Sequence, residues 1–313
     1  MKIGTRGSAL ALWQANHVAG LLRARDPGLA VEIVVIKTSG DVRQDIPLQA
    51  VAGKGVFVRE IEAALLAGAI DLAVHSAKDL QSDDPPGLTL AAFCERADPR
   101  DALVSPQHGA LDQLPQGALV GTGAPRRIAQ LAHRRPDLRF TEIRGNVDTR
   151  LAKLNRGEAD ALVLAVAGLE RLGRADVITE RLPTDVCLPQ VGQACVAVQC
   201  RADDAAMISA VATACDHAPT RAAVVAERAF LSLLGGGCTA PVAAHAISPV
   251  VEPLVLRGLV ATRDGSTILR AMLAGTSEDP HRLARAVFDD LLHRGARALL
   301  DTETTVTMEL PRP

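Results

Sequence analysis

The 313-residue sequence contains no tyrosine, one tryptophan and five phenylalanines. Proteins that hold single-stranded nucleic acid stack bases on aromatic side chains, so this scarcity argues against that class. An excess of one charge is also missing. Thirty-four Lys and Arg stand against 36 Asp and Glu, for a net charge of −2. Nothing global therefore draws the chain to DNA or to an anionic membrane, and any anion site has to come from locally clustered bases. No apolar run approaches the length of a membrane span. The opening Met1-Lys-Ile-Gly-Thr-Arg-Gly7 lacks the apolar core of a secretory signal. Six cysteines are scattered without a CxxC pair, and Cys195 and Cys200 lie five apart with no partnering ligands. That is not a zinc spacing. A cytoplasmic protein with free thiols, no metal and no nucleic-acid or membrane partner is the expectation.

What is present is enough apolar residue, 48%, for more than one core, and the length implies two or three domains. The most informative stretch is Asp71-Leu-Ala-Val-His-Ser-Ala-Lys-Asp-Leu80. It begins as the apolar run of a buried strand and ends by placing His75, Ser76, Lys78 and Asp79 close together. Polar groups where such a strand emerges mark the ligand-binding edge of an open α/β sheet. The chain carries its own control. Leu65-Leu-Ala-Gly68-Ala-Ile-Asp71 is echoed by Leu154-Asn-Arg-Gly157-Glu-Ala-Asp160, each a helix end, a Gly stop, an Asp and an apolar strand. At the offset of His75 to Asp79 the second copy has Leu164-Ala-Val-Ala-Gly168. The framework repeats and the polar cargo does not, which favours a functional reading of the first copy.

In chain order, Lys2 to Thr5 predicts a strand, and Ser8 an N-cap of a helix with Leu10, Trp13, Val18 and Leu21 on its apolar face. Val31 to Ile36 predicts a buried strand. Residues 38 to 55 form a long polar segment ending Gly53-Lys54-Gly55, a length usually functional inside a compact unit. Phe57, Ile61 and Leu65 define the helix before the central strand. Glu95 to Asp101 has the composition of a connection between lobes. Thr122-Gly-Ala-Pro125-Arg-Arg127 opens a second-unit helix, with Pro125 at its first position. The amides and dipole of that helix start, with Arg126 and Arg127, read as an anion site. Arg144 follows another strand and Arg150 lies on the next helix, whereas Arg134 and Arg135 read as a solvated face. Leu188 to Cys200 predicts a turn and a strand returning to the first lobe. From Pro219 a helix buries Val225, Phe230 and Leu233. A hairpin (254–262 and 267–273) and a helix capped by Asp279, burying Leu283, Val287 and Leu291, complete a small α+β unit.

Free cysteine is commonly a small buried hydrophobe, the reading for Cys94, Cys187, Cys195, Cys200 and Cys215. Cys238 differs, standing in Gly235-Gly-Gly-Cys238-Thr-Ala-Pro241. Such a loop exposes the sulfur and lets a ligand approach the backbone. Spacing alone leaves a covalent attachment point and a plain loop thiol equally open.

Taken together, Thr5-Arg-Gly-Ser-Ala-Leu-Ala-Leu-Trp-Gln14, Gly53-Lys-Gly-Val-Phe57, Val74-His-Ser-Ala-Lys-Asp79, Asp98-Pro-Arg-Asp101, Arg126-Arg127, Arg144-Gly-Asn-Val147, Thr149-Arg-Leu151, Leu164 to Leu169, Leu188-Pro-Gln-Val-Gly-Gln193 and Gly236-Gly-Cys238 resemble the porphobilinogen deaminase (hydroxymethylbilane synthase) family, in order and over essentially the whole chain. The resemblance implies an α/β fold with two periplasmic-binding-protein-like (type II) lobes around a cleft and a small α+β C-terminal domain. The implied boundaries are 1–94 plus about 194–212 for the first lobe, 99–189 for the second and 216–313 for the third domain. It implies a transferase of haem and tetrapyrrole biosynthesis that joins four porphobilinogen units head to tail, with loss of ammonia, onto a covalent dipyrromethane, then releases hydroxymethylbilane by hydrolysis. The product would pass to uroporphyrinogen-III synthase, and a monomer is expected.

By the same resemblance Cys238 carries the dipyrromethane as a thioether and Asp79 is the catalytic carboxylate. Arg6, Lys54, Lys78, Arg126, Arg127, Arg144, Arg150 and Arg171 would bind cofactor and substrate carboxylates, with Ser8, His75, Ser76, Thr122 and Gln193 in support. Each added unit brings an acetate and a propionate, so a basic cleft is a physical need. Deamination and coupling each generate a cation, which one carboxylate can stabilise while moving the protons. The sequence departs from the family pattern at Gly123 and Ala124, which replace two hydroxyls, and at Ala50, Lys2 and Gly235. A two-lobed carboxylate sensor without turnover would share the fold and the arginines, but gives no account of Cys238 or of the one-sided Lys78-Asp79 cargo.

Overall fold

The computed structural model describes residues 1–42, 55, 57–235, 240–248 and 253–300. In chain order the first part contains β1 (Lys2–Thr5), α1 (Ala9–Arg25), β2 (Glu32–Val35), the short α2 (Ser39–Val42), α3 (Arg59–Leu66), β3 (Leu72–Ser76) and β4 (Leu88–Phe93). The chain then crosses to β5 (Asp101–Val104), β6 (Leu119–Gly121), α4 (Pro125–Arg134), β7 (Arg139–Thr141), α5 (Val147–Asn155), β8 (Ala161–Ala165), α6 (Val166–Arg171) and β9 (Glu180–Leu182). It returns as β10 (Val196–Arg201) and continues through α7 (Ala205–Cys215), α8 (Ala218–Leu233), β11 (Val242–Ile247), β12 (Leu254–Ala261), β13 (Ile268–Gly275) and α9 (Pro280–His293).

Two five-stranded sheets have the orders β2-β1-β3-β10-β4 and β7-β6-β8-β5-β9. Each is a second-first-third sequence of parallel strands. The strand arriving from the other lobe, β10 or β5, is inserted antiparallel beside the third. That is the arrangement of a type II periplasmic-binding-protein lobe, present twice. A third, antiparallel sheet, β11-β12-β13, is covered by α8 and α9 around Phe230, Leu256, Val287 and Leu291.

The internal repeat has a mechanical basis. Asp71 accepts the Lys2 N–H at 2.7 Å and Asp160 accepts the Leu119 N–H at 2.7 Å, so each aligns the start of its lobe's first strand with the third. Gly68 and Gly157, at φ 71° and 77°, end the preceding helices in the left-handed conformation that favours glycine.

Four local expectations are corrected. The Val31–Ile36 run is an edge strand with Val35 52% exposed, because one side of β2 has no neighbour. The face of α1 on the sheet is Ala11, Gln14, Ala15, Val18, Ala19 and Leu22. Small residues let the helix lie close, while Leu10 and Trp13 turn towards the second lobe. Arg135 is not solvated: it caps the end of α4, donating to Leu111 O and Leu114 O and pairing with Asp137 at 2.7 Å. On α8 the buried positions include Val224, Ala226 and Glu227, whereas Val225 and Leu233 are half-buried. Cys94, Cys187, Cys195, Cys200 and Cys215 are all buried and unbridged.

The third domain rests on α4. The β12–β13 turn presents Gly265 O to His133 Nδ1 at 2.9 Å, and Arg270 reaches Gln130 Oε1 at 3.3 Å. Gly265 has φ 72°, and a Cβ there would drive into the backbone of Ala129 and His133. Gly265→Ala is expected to combine the left-handed penalty with this clash, about 1–3 kcal/mol. Thermal unfolding of the variant within a degree of the parent would show that the turn does not bear on α4.

Candidate active site

The cargo of the first lobe emerges where β3 ends. Ser76 closes the strand, and Ala77–Asp79 form one turn of 3-10 helix. The crossing segment before β10 backs this turn. Ala77 N donates to Cys195 O at 3.0 Å, and Gln190 Nε2 to Lys78 O at 3.2 Å. Gly192, φ 69°, lies so near that a Cβ would sit 2.9 Å from Ala77 C and 3.0 Å from Lys78 N. In front, Gln14 Nε2 donates to Ser76 Oγ at 2.7 Å. Ser8 caps α1 by accepting from Ala11 N, and Arg6 lies over the Phe57 ring at 4.2 Å. Arg6, Ser8, His75, Ser76, Lys78 and Asp79 line one cavity between α1 and this turn.

Within that cavity the groups are differentiated. Asp79 is half-buried, and its carboxylate has no hydrogen-bond partner among the described residues. The Lys78 ammonium is lowered to about 8 by burial, opposed by Asp79 and reinforced by Arg127. Burial drives the His75 imidazole down to about 4, so it is neutral near pH 7. Its Nε2 is buried without a hydrogen-bond partner among the described residues, and it serves as a polar wall rather than a titrating acid.

Across the cleft, Arg126 and Arg127 are brought to one buried carboxylate. Asp101, fully buried, accepts Arg126 Nη1 at 2.6 Å and Arg127 Nη2 at 2.6 Å. Arg126 also donates to Leu188 O and Gln193 Oε1, and Arg127 to Val163 O. Gln193 Nε2 donates to Pro99 O and Asp101 Oδ1, joining both crossing segments to the pair. The two arginines thus point into the protein with one charge neutralised, and Asp101 is held far below the carboxylate range against its own desolvation. Thr122 is buried, its Oγ1 accepting from Ala124 N at 3.4 Å.

The other bases are less satisfied. Arg144 lies 3.7 Å from Glu142, and its Nη1 is buried without a hydrogen-bond partner among the described residues. Arg150 donates to Gly145 O at 2.8 Å and is pushed down to about 10 by burial, then by Arg127 and Arg144. Arg171 donates to Ala194 O at 2.6 Å, with Nε buried and without a hydrogen-bond partner among the described residues. Arg144 and Arg150, crowded with Arg127 in a partly desolvated wall, have the donors that fit a ligand carrying several carboxylates. Lys54 and Cys238 lie outside the described residues.

Two functional carboxylates escaped the sequence reading. Asp101 opens the apolar run Asp101-Ala-Leu-Val104, and a charge at the start of a buried strand is its one signal. Glu227 is fully buried on α8. It pairs with Arg96 at 2.5 Å and accepts the Gly192 and Ala246 N–H groups, so it fastens the third domain to both crossing segments.

Fold and site define a two-lobed protein whose cleft is lined by basic side chains and holds a carboxylate, beside a lysine, without a hydrogen-bond partner among the described residues. Two family models account for nearly all of the chain. "Porphobilinogen deaminase, dipyromethane cofactor binding domain" matches residues 1–209, and "Porphobilinogen deaminase, C-terminal domain" matches residues 221–293. A porphobilinogen deaminase of Trichlorobacter lovleyi is 49% identical over 301 residues, covering 96% of each chain. The chain belongs to the porphobilinogen deaminase family. Among solved structures, the periplasmic VFT2 domain of Bordetella pertussis BvgS is 19% identical, covering 68% of this chain and 86% of that one, at a TM-score of 0.42. The Escherichia coli sulphonate-binding protein SsuA is 19% identical over 74% of this chain and 69% of that one, at 0.38. At these scores the likeness adds nothing to the strand orders.

Proposed function

We propose that Asp79 is the catalytic carboxylate and Cys238 the attachment point of the primer in this family's reaction. The enzyme is a transferase that joins four porphobilinogen units head to tail, with loss of ammonia, and releases hydroxymethylbilane. The observation that carries the assignment of Asp79 is its carboxylate, without a hydrogen-bond partner among the described residues, on a turn that the crossing segment holds in place. When bound, the dipyrromethane supplies the pyrrole terminus to which units are joined. Arg144, Arg150 and Arg171 are the residues placed to hold its carboxylates, with Arg6 and Lys78 on the facing wall. Arg126 and Arg127, committed to Asp101, contribute a net positive field and a rigid wall more than free donors.

Asp79 faces the position where substrate positive charge develops as ammonia departs. A carboxylate there stabilises that charge and then takes the proton lost on coupling. Lys78, with its lowered proton affinity, anchors a substrate carboxylate while remaining mostly charged near neutrality. The domain boundaries 1–94 with about 194–212, 99–189 and 216–313 follow the three sheets. A cytoplasmic location accords with the free buried thiols, and a monomer that hands its product to uroporphyrinogen-III synthase belongs to the same proposal. Among the described residues no helix is long and apolar enough to cross a membrane.

Intact-protein mass tests the attachment. The purified chain is expected to exceed its sequence mass by two pyrrole units, and Cys238→Ser to show the bare mass. An adduct retained in the Ser variant would move the attachment elsewhere. The sensor reading requires the bare mass in both and is disfavoured by family membership.

A further inference from the structure

The chain's only tryptophan stands at the seam between the lobes, where α1 meets α6. Trp13 stacks on His17, one helical turn on, with centroids 5.2 Å apart and planes 10° from parallel. The Arg171 guanidinium, from the end of α6, lies 5.1 Å from the Trp13 ring centroid. Such cation–aromatic contacts strengthen as the cation loses water, and Arg171 is half-buried. Burial, then Arg171, lowers the His17 imidazole, which disfavours a second cation beside the ring.

Arg171 leads onward to the crossing segment before β10. Its Nη2 donates to Ala194 O at 2.6 Å, and Ala194, at φ 69°, is the one non-glycine described residue in the left-handed region. A side chain bearing a Cβ persists there only when its surroundings hold it. On either side of Ala194 are the residues that back the catalytic turn: Gly192 against Ala77 and Lys78, and Cys195, whose carbonyl accepts from Ala77 N. A contact on α1 is thereby linked, through one guanidinium and one strained carbonyl, to the backbone that sets the position of Asp79.

We propose that Trp13 is a positioning residue for the condensation: its indole holds Arg171 across the seam, and Arg171 fixes the strained crossing segment behind the Lys78–Asp79 turn. The inference rests on the family's polymerising activity and is independent of which cysteine carries the primer. Without the ring, the guanidinium keeps the Ala194 carbonyl but loses its contact with α1. The bland role for Trp13 is to fill the seam, but at 36% exposure it fills it incompletely.

The test uses the cofactor-loaded enzyme. Trp13→Leu keeps apolar volume and removes the ring face. It is expected to lower kcat about tenfold, as a small misplacement of reacting groups does, with KM for porphobilinogen within about twofold. Trp13→Phe is expected to restore most of the turnover. In an Arg171→Leu background, Trp13→Leu should add no further loss, since the two act as one unit. In the parent, Arg171→Leu should alter the emission maximum or yield of the single tryptophan. Equal losses in the Leu and Phe variants, or the same factor lost with and without Arg171, would overturn the proposal. Should the Arg171 variant turn over too slowly for that comparison, an unchanged Trp13 emission would overturn it. Failure of the parent to make tetrapyrrole would instead overturn the activity, leaving the emission comparison intact.

Discussion

Asp79→Asn is expected to keep the fold and the pyrrole adduct while losing about 10³-fold in turnover. The amide matches the carboxylate in shape but can neither take a proton nor offset a neighbouring cation. Asp79 has no hydrogen-bond partner to lose among the described residues, so stability should hold, and the Lys78 ammonium should become easier to deprotonate because the larger of its two counter-charges, Asp79 ahead of Asp101, is gone. Three measurements decide the matter together: unfolding midpoint, intact mass and rate of ammonia release. An Asn variant that releases ammonia within tenfold of the parent would remove Asp79 from the reaction.

Asp101→Asn has the opposite signature. Here the side chain is a counter-ion to two arginines that are each under 10% exposed. Removing the charge leaves two desolvated cations 126 and 127 facing a neutral amide. Breaking a buried pair in this way costs about 3–5 kcal/mol. The loss should appear as a lower urea midpoint at unchanged slope. The pH dependence has a definite sign. Asp101 is held below its ordinary value in the folded chain, so its contribution is present above about pH 4, the unfolded carboxyl value, and is lost as pH falls further. The Asn variant should lack that portion of the acid-side decline. A variant as stable as the parent at pH 7 would mean that water or a ligand carboxylate substitutes for Asp101.

The two substitutions show why one carboxylate was legible and the other was not. Asp79 announces itself because it follows an apolar strand, clusters with His75, Ser76 and Lys78, and has no counterpart in the second copy. Asp101 lies in Asp98-Pro-Arg-Asp101, where charged residues read as a connection, and the partners that make it a hub come from 25 to 92 positions away. Arg126 and Arg127 illustrate the same limit from the other side. Their place at a helix start was legible, but the inward direction of their side chains depends on Asp101 having been delivered by the crossing strand β5. Arg135 and the sheet face of α1 were misjudged because a helix pattern reports which residues are apolar, not which neighbour arrives to cover them.

The sequence by itself determined the paired αβ framework, the asymmetric cargo at Lys78 and Asp79, the distinct setting of Cys238 and the α+β character of the last third. These rest on periodicity, glycine conformations and local chemistry, all of which act within a few residues. Tertiary structure alone decided that β5 and β10 insert antiparallel beside the third strand of each lobe, that Asp101 and Glu227 are buried hubs, and that Trp13 meets Arg171 across the seam. Those facts depend on contacts between segments far apart in the chain, which are fixed only when the lobes close their sheets and bury the charges that pay for the crossing.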